Sequence, residues 1–155
     1  MVITRGATGQ PLRMIGTHTD ITARKASEAL VWNQAHLDAL TGLPNRRMLR
    51  DRLEHEIRKG LREGRQLAVL FIDLDHFKEV NDTLGHDSGD FLLVEAARRI
   101  TASVRETDTV ARMGGDEFTV ILTELHDVSS VERTLQTLLH TLSSVFQLGH
   151  EQVYV

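Results

Sequence analysis

The sequence predicts an α+β fold, a sandwich in which a mostly antiparallel central sheet is flanked by helices. Three observations predict it. Residues 67–72 form an apolar run of strand length. Two β-prone pieces, 109–112 and 117–122, are joined through Gly114 and Gly115 with no room for a crossover helix, which marks a β-hairpin. Apolar stripes at helical spacing lie between these pieces and after them, so the order reads strand, helix, strand, strand, helix, strand.

Residues 1–20 are rich in threonine, glycine and arginine, and 6–11 reads as a turn between two short extended segments, the second over 12–21. A lone hairpin is marginal in water, so this one is expected to pack on the neighbouring domain or to be the end of something larger. Ala23, Ala26, Leu30, Asn33 and Leu37 then recur at helical spacing, with Asp20 or Thr22 as N-cap, predicting a connecting helix over Thr22–His36. Its apolar seam is short and interrupted by Asn33 and Gln34, which leaves two readings open, a coiled coil with a second copy and a solvated linker. Residues 40–45 (LTGLPN) form a loop. Asn45 caps a helix striped by Met48, Leu49, Leu53, Ile57 and Leu61 and closed by Gly64. The 67–72 run reads as a strand buried on both faces in the middle of a sheet, ending in Asp73 and Asp75. Residues 76–90 are polar, and 81–90 read as a loop. Phe91, Leu92, Val94, Ala96 and Ile100 mark one helix, 128–146 another, and 152–155 begins a strand.

Composition narrows the function classes. With 155 residues, 41% hydrophobic and 26% charged, the chain suits one compact domain with a short extension. Its formal net charge is -4 with both signs interspersed, so no broad nucleic-acid surface is expected. The absence of cysteine removes disulfides, thiolate zinc sites and thiol nucleophiles, and fits a reducing compartment, the cytoplasm by default. No apolar run approaches the roughly 20 residues that span a bilayer, so no membrane contact by this chain is expected, although a longer parent is compatible with an anchor. The histidines are not spaced as a metal cluster.

Three acidic features call for an explanation: Asp73 and Asp75 at the strand end, the stretch from Asn81 to Asp90, and Asp116 with Glu117 beside Gly114 and Gly115. Mg²⁺ takes oxygen ligands, typically one or two carboxylates plus substrate phosphates, and acids brought together from a strand end and a hairpin suit it. Glycines let a phosphate or ribose approach the backbone. The other reading is local: Asp73 and Asp75 cap a helix starting at His76, and the glycines make an ordinary turn.

Taken together, the blocks carry a resemblance. Arg112-Met113-Gly114-Gly115-Asp116-Glu117-Phe118 resembles the signature of the GGDEF family of diguanylate cyclases, and residues 38–46 (DALTGLPNR) resemble its opening segment. Residues 73–78 (DLDHFK) and 81–90 (NDTLGHDSGD) are similar to its metal and guanine segments. The resemblance implies a nucleotide-cyclase, ferredoxin-like sandwich and a Mg²⁺-dependent enzyme, with Mn²⁺ as an alternative ion, that condenses two GTP into cyclic di-GMP. It implies that Asp73 and the Leu74 carbonyl hold the metal, that Asp116 is both ligand and base, and that Glu117 supports the metal site. Lys78 is then placed near the phosphates, and Asn81 and Asp90 on the guanine edge with His86 nearby. Arg105 and Asp108, an RxxD pair, correspond to an inhibitory product site in the family, so feedback by cyclic di-GMP is expected.

Residues 9–25 resemble the closing strand of a PAS sensor and the start of its signalling helix. The resulting division is 1–22 as a sensor remnant, 23–37 as a signalling helix and 38–155 as a catalytic domain lacking its C-terminal part. Each domain binds one GTP, so a homodimer is implied for turnover. Two other functions stay open: a catalytically inactive module that binds GTP or cyclic di-GMP, and an adenylate-type cyclase, against which Asn81 and Asp90 speak.

Overall fold

A computed structural model of the chain describes residues 2–5, 8, 11–15, 19–125 and 127–155, with backbone alone at 2–5 and 11–15. Most of the turn expected at 6–11, and 16–18 of the second extended segment, lie outside the described residues. The chain divides into two compact units, Met1–Trp32 and Asn33–Val155. In the first, β1 (Val2–Arg5) pairs antiparallel with β2 (Pro11–Ile15), Val2 facing Ile15, with a register shift between Thr4 and Arg5. The helix expected over Thr22–His36 is present as α1, and Asp20 Oδ1 accepts a hydrogen bond from the Thr22 amide at 2.8 Å at its start.

The second unit holds the predicted sandwich. Its elements are α2 (Arg46–Glu63), β3 (Gln66–Asp73), α3 (Phe77–Leu84), α4 (His86–Ala102), β4 (Thr109–Gly114), β5 (Glu117–Leu125), α5 (Val128–Leu142) and a small hairpin of β6 (Phe146–Leu148) and β7 (Glu151–Val153). The main sheet has the order β3-β5-β4 and is antiparallel throughout. One face carries the larger core, where Leu92, Ala96 and Ile100 of α4 and Leu138 of α5 meet Val110, Phe118 and Val120. On the other face Leu49 of α2 packs on Ala111 and Ile121. Among the described residues, no helix is long and apolar enough to cross a membrane.

Three expectations need correcting. The 67–72 run is not a central strand: β5 takes the middle of the sheet and β3 is an edge, with Ile72 facing the core and Phe71, on the other face, 82% exposed. Residues 81–90, expected as a loop, are mostly helical. Phe77, Val80 and Leu84 give α3 one narrow apolar side toward the core, and after Gly85 the chain turns directly into α4. The helix expected over 128–146 stops at Leu142, because Arg99 takes up the carbonyls near its end. Its Nη1 donates to Thr141 O (3.0 Å) and Ser144 O (2.8 Å) and its Nη2 to Val145 O (2.7 Å), while its guanidinium lies 3.7 Å from the centre of the Phe146 ring.

Candidate active site

The acids are gathered by strand register. Asp73, the last residue of β3, lies directly opposite Glu117, the first residue of β5, and Glu117 in turn lies opposite Gly114 at the end of β4. Asp116 sits in the turn between Gly114 and Glu117. That turn needs its glycines, since Gly114 (φ 130°) and Gly115 (φ 56°) adopt backbone angles that a side chain disfavours. The Asp73 and Glu117 side chains are exposed and that of Asp116 half-buried. None of the three has a hydrogen-bond or ion-pair partner among the described residues. Leu74 is buried by its side chain, and its carbonyl accepts only a long bond, 3.4 Å, from the Phe77 amide.

Beside these acids lies a cleft of ≈ 310 Å³ floored by Phe118, Thr119 and Met113 and bordered by Arg46, Asp73 and Glu117. Among the described residues, no three His, Cys, Asp or Glu side chains are close enough to hold an ion by themselves. The donor set nevertheless fits a hard cation: two carboxylates face each other across adjacent strands, a third sits in the turn beside them, and no described cation pairs with any of them. Substrate phosphates complete such a shell in the usual magnesium pattern.

The expected base-binding residues come from the two helices after β3. Lys78 stands exposed in the first turn of α3, next to the acid-bearing strand end. Asn81 lies one turn further on, and Asp90 is exposed in the first turns of α4. What joins them is Gly89. A Cβ built on this buried glycine would collide with Asn81 Oδ1, so the carboxamide lies flat against the α4 backbone, one residue from Asp90. His86 opens α4 and is exposed.

Arg105 and Asp108 meet at the opposite end of β4. Asp108 Oδ2 accepts from the Arg105 amide (3.0 Å) and Oδ1 from the Thr123 amide (3.0 Å), while the Arg105 side chain stays exposed. Both border a second cleft of ≈ 270 Å³ that Arg52 and Pro44 also line.

The comparisons with known proteins bear on this arrangement. The family model described as diguanylate cyclase, GGDEF domain, matches residues 35–155. The chain belongs to the GGDEF family. Over 131 residues it is 45% identical to the bifunctional diguanylate cyclase/cyclic di-GMP phosphodiesterase MucR of Pseudomonas aeruginosa, covering 84% of this chain and 19% of that protein. Over 117 residues it is 46% identical to the diguanylate cyclase TpbB of the same species, covering 76% and 27%. Among solved structures it resembles the GGDEF domain of TpbB (TM-score 0.74, 43% identity, 77% of this chain and 70% of that one). It also resembles the coiled coil and GGDEF domain of DgcB from Caulobacter crescentus in complex with c-di-GMP (TM-score 0.75, 27% identity, 85% and 69%). The chain thus spans between a fifth and about a quarter of the length of these curated GGDEF relatives.

Sequence reasoning missed three features of this GGDEF site. Arg46 borders the acidic cleft and its Nη2 donates to Met113 O at 3.5 Å. Gly89 makes room for Asn81. Arg112 grips the glycine turn. All three lie inside the recognised blocks, but none carried a local signal, and Gly89 fell in a stretch read as a loop, where a glycine is ordinary.

Proposed function

We propose that the protein is a diguanylate cyclase, which joins two GTP into cyclic di-GMP and releases two pyrophosphates in a divalent-metal-dependent reaction, Mg²⁺ in the first instance. The observation that carries this reading is the register that sets Asp73 against Glu117, with Asp116 in the adjoining turn and Asn81 packed against Gly89, the residue before Asp90, on the helices that follow that strand.

Asp73, the Leu74 carbonyl, Asp116 and Glu117 hold the ion, which supplies charge neutralisation at the α-phosphorus. Asp116 accepts the proton of the ribose 3′-hydroxyl. That oxygen forms the new bond to the α-phosphorus of the second GTP, and the bond from that phosphorus to the bridging oxygen of pyrophosphate breaks. Lys78 offsets the charge that builds on the phosphoryl oxygens. Asn81 donates to and accepts from the guanine edge, and the Asp90 carboxylate accepts from the N1 and N2 hydrogens that adenine lacks. His86 lines the same pocket.

One chain offers one such nucleotide site, so turnover takes a homodimer. Arg105 and Asp108 bind the product and restrain the enzyme, the guanidinium on phosphate or guanine and the aspartate on the guanine edge. Residues 38–155 form the catalytic domain, 23–37 the signalling helix, and 1–22 the end of a PAS-type sensor.

The test is incubation of the purified chain at high concentration with GTP and Mg²⁺, with chromatography and mass detection of cyclic di-GMP. Product that disappears with Asp116→Ala supports the cyclase. Tight GTP binding without product makes the chain a binding module, and preference for ATP overturns the guanine assignment. Arg105→Ala with unchanged product affinity removes the inhibitory site.

A further inference from the structure

Arg112 lies in β4, just before the glycine turn, and its guanidinium bonds two partners, one in that turn and one 74 positions away in the sequence. Nε and Nη2 both donate to the carbonyl of Gly115, at 2.9 and 2.7 Å, and Nη1 donates to both carboxylate oxygens of Asp38, at 3.0 and 3.2 Å. The pair is well shielded, with side chains 11% and 21% exposed. Asp38 is itself held: the Thr41 amide and hydroxyl donate to its Oδ1 at 2.9 and 2.7 Å. The Arg112 amide donates to Pro44 O at 3.0 Å, so backbone and side chain of the same residue fasten β4 to the 38–45 loop.

The same loop is tied to the last turn of α1. Asn45 Nδ2 donates to Ala35 O (3.1 Å) and the Asn45 amide to His36 O (2.9 Å), while Asn45 Oδ1 caps α2 by accepting from the amides of Arg47 and Met48. A bonded route therefore runs from the end of the connecting helix, through Asn45 and Asp38, to the guanidinium and on to the carbonyl that immediately precedes Asp116.

We propose that Arg112, held by Asp38, is a positioning residue for Asp116 and makes the placement of the catalytic turn depend on the loop that ends α1. The need for such a device arises in the turn itself. Gly114 and Gly115 have no neighbouring atoms where a Cβ would sit, so packing does not fix their conformation. The two donors on Gly115 O supply what packing does not, and a charge-assisted fork does so with defined direction. Misplacing a reacting group by about 1 Å costs on the order of a hundredfold in rate.

The inference rests on the reading of Asp116 as the catalytic base, and the test separates the two. Arg112→Lys keeps the charge but cannot serve both acceptors, and Asp38→Asn keeps the size and the Thr41 bonds but loses the ion pair. The first measurement is the ¹⁵N shift of the Asp116 amide in metal-free protein, since this nitrogen reports the hydrogen bonding of the Gly115 carbonyl. Both variants are expected to move it by several linewidths, and an unmoved Asp116 amide overturns the proposal whether or not the chain turns GTP over. The second is steady-state kinetics well below either variant's melting temperature. The expected result in both variants, the charge-conserving Arg112→Lys included, is a kcat lowered about tenfold or more with KM for GTP within about twofold. Wild-type kcat in both variants, even with a lowered Tm, reduces the pair to a structural tie and overturns the proposal. Absence of product from the wild-type chain itself counts against the cyclase reading, while the Asp116 shift still decides the clamp.

Discussion

At the scale of single residues, the proposed base-binding side of the site depends on an atom that is missing. Gly89 lets the Asn81 carboxamide lie against α4, and any Cβ there collides with Asn81 Oδ1. Gly89→Ala is expected to push the carboxamide out of place and raise KM for GTP about tenfold, the loss of about one good hydrogen bond, with a stability loss of about 1–2 kcal/mol from overpacking. Isothermal titration with GTP and a urea melt check the two parts separately. The candidate site residues were picked out in the sequence only through the joint resemblance of four blocks, because carboxylates at a strand end or beside paired glycines, taken alone, also suit a helix cap and an ordinary turn. The residues that hold them in place were not picked out. Nothing in the spacing of Asp38 and Arg112, 74 positions apart, announces an ion pair, and it forms only once the sheet brings β4 against the 38–45 loop.

Among the elements, α2 and α4 illustrate how helix ends and helix surfaces are stabilised. Asn45 serves two helices at once, its Oδ1 capping α2 and its Nδ2 reaching back to Ala35 O. Asn45→Ala is expected to destabilise by about 1–2 kcal/mol. Asn45→Asp, which keeps the acceptor and loses the donor, should recover most of the capping and leave the tie to α1 broken, a contrast that thermal melts of both variants resolve. On α4, hydrogen bonds from Arg98 foremost, with partial burial opposing and Arg99 assisting, hold the Glu95 carboxyl at about 2, below its usual 4.5. The folded state therefore binds this proton less readily than the unfolded one. The stabilisation is complete above about pH 4.5 and is lost as pH falls toward 2. Glu95→Gln should lower the urea midpoint at neutral pH, and the gap to wild type should narrow on acidification. A gap that stays constant with pH points to packing alone. The β4-β5 hairpin and α2 were legible from paired glycines and a regular apolar stripe. The helix α3 was not, because it offers just Phe77, Val80 and Leu84 to the core while its remaining side chains are polar and suit a ligand, which makes the segment resemble a loop. The edge position of β3 was hidden for another reason: an apolar run does not say on which side its neighbours stand.

For the whole molecule, the count of sites sets the kinetics. Each chain provides Asn81, Asp90 and the acidic rim once, and the proposed product contains two guanosine units, so specific activity should rise with protein concentration until the dimer saturates. Gel filtration over the same range should show the association at matching concentrations. Activity independent of dilution over a range in which gel filtration shows only monomer would require both nucleotides to bind within one chain. The acidic cleft and the Arg105 cleft lie at opposite ends of β4, so occupancy of one is not expected to block the other sterically, and the proposed inhibition by product should be non-competitive with GTP.

The pairing of Asp73 with Glu117 sets stability against activity. Like charges directly opposite on antiparallel strands weaken the sheet, by some tenths of a kcal/mol in an exposed pair. Glu117→Gln should therefore melt about 1–2 °C above wild type in metal-free buffer even as it disables the site. Millimolar Mg²⁺ together with a non-hydrolysable GTP analogue should erase that advantage by raising the wild-type midpoint through binding to the folded state alone. A screen for heat resistance alone would thus select against the residues on which the proposed reaction depends.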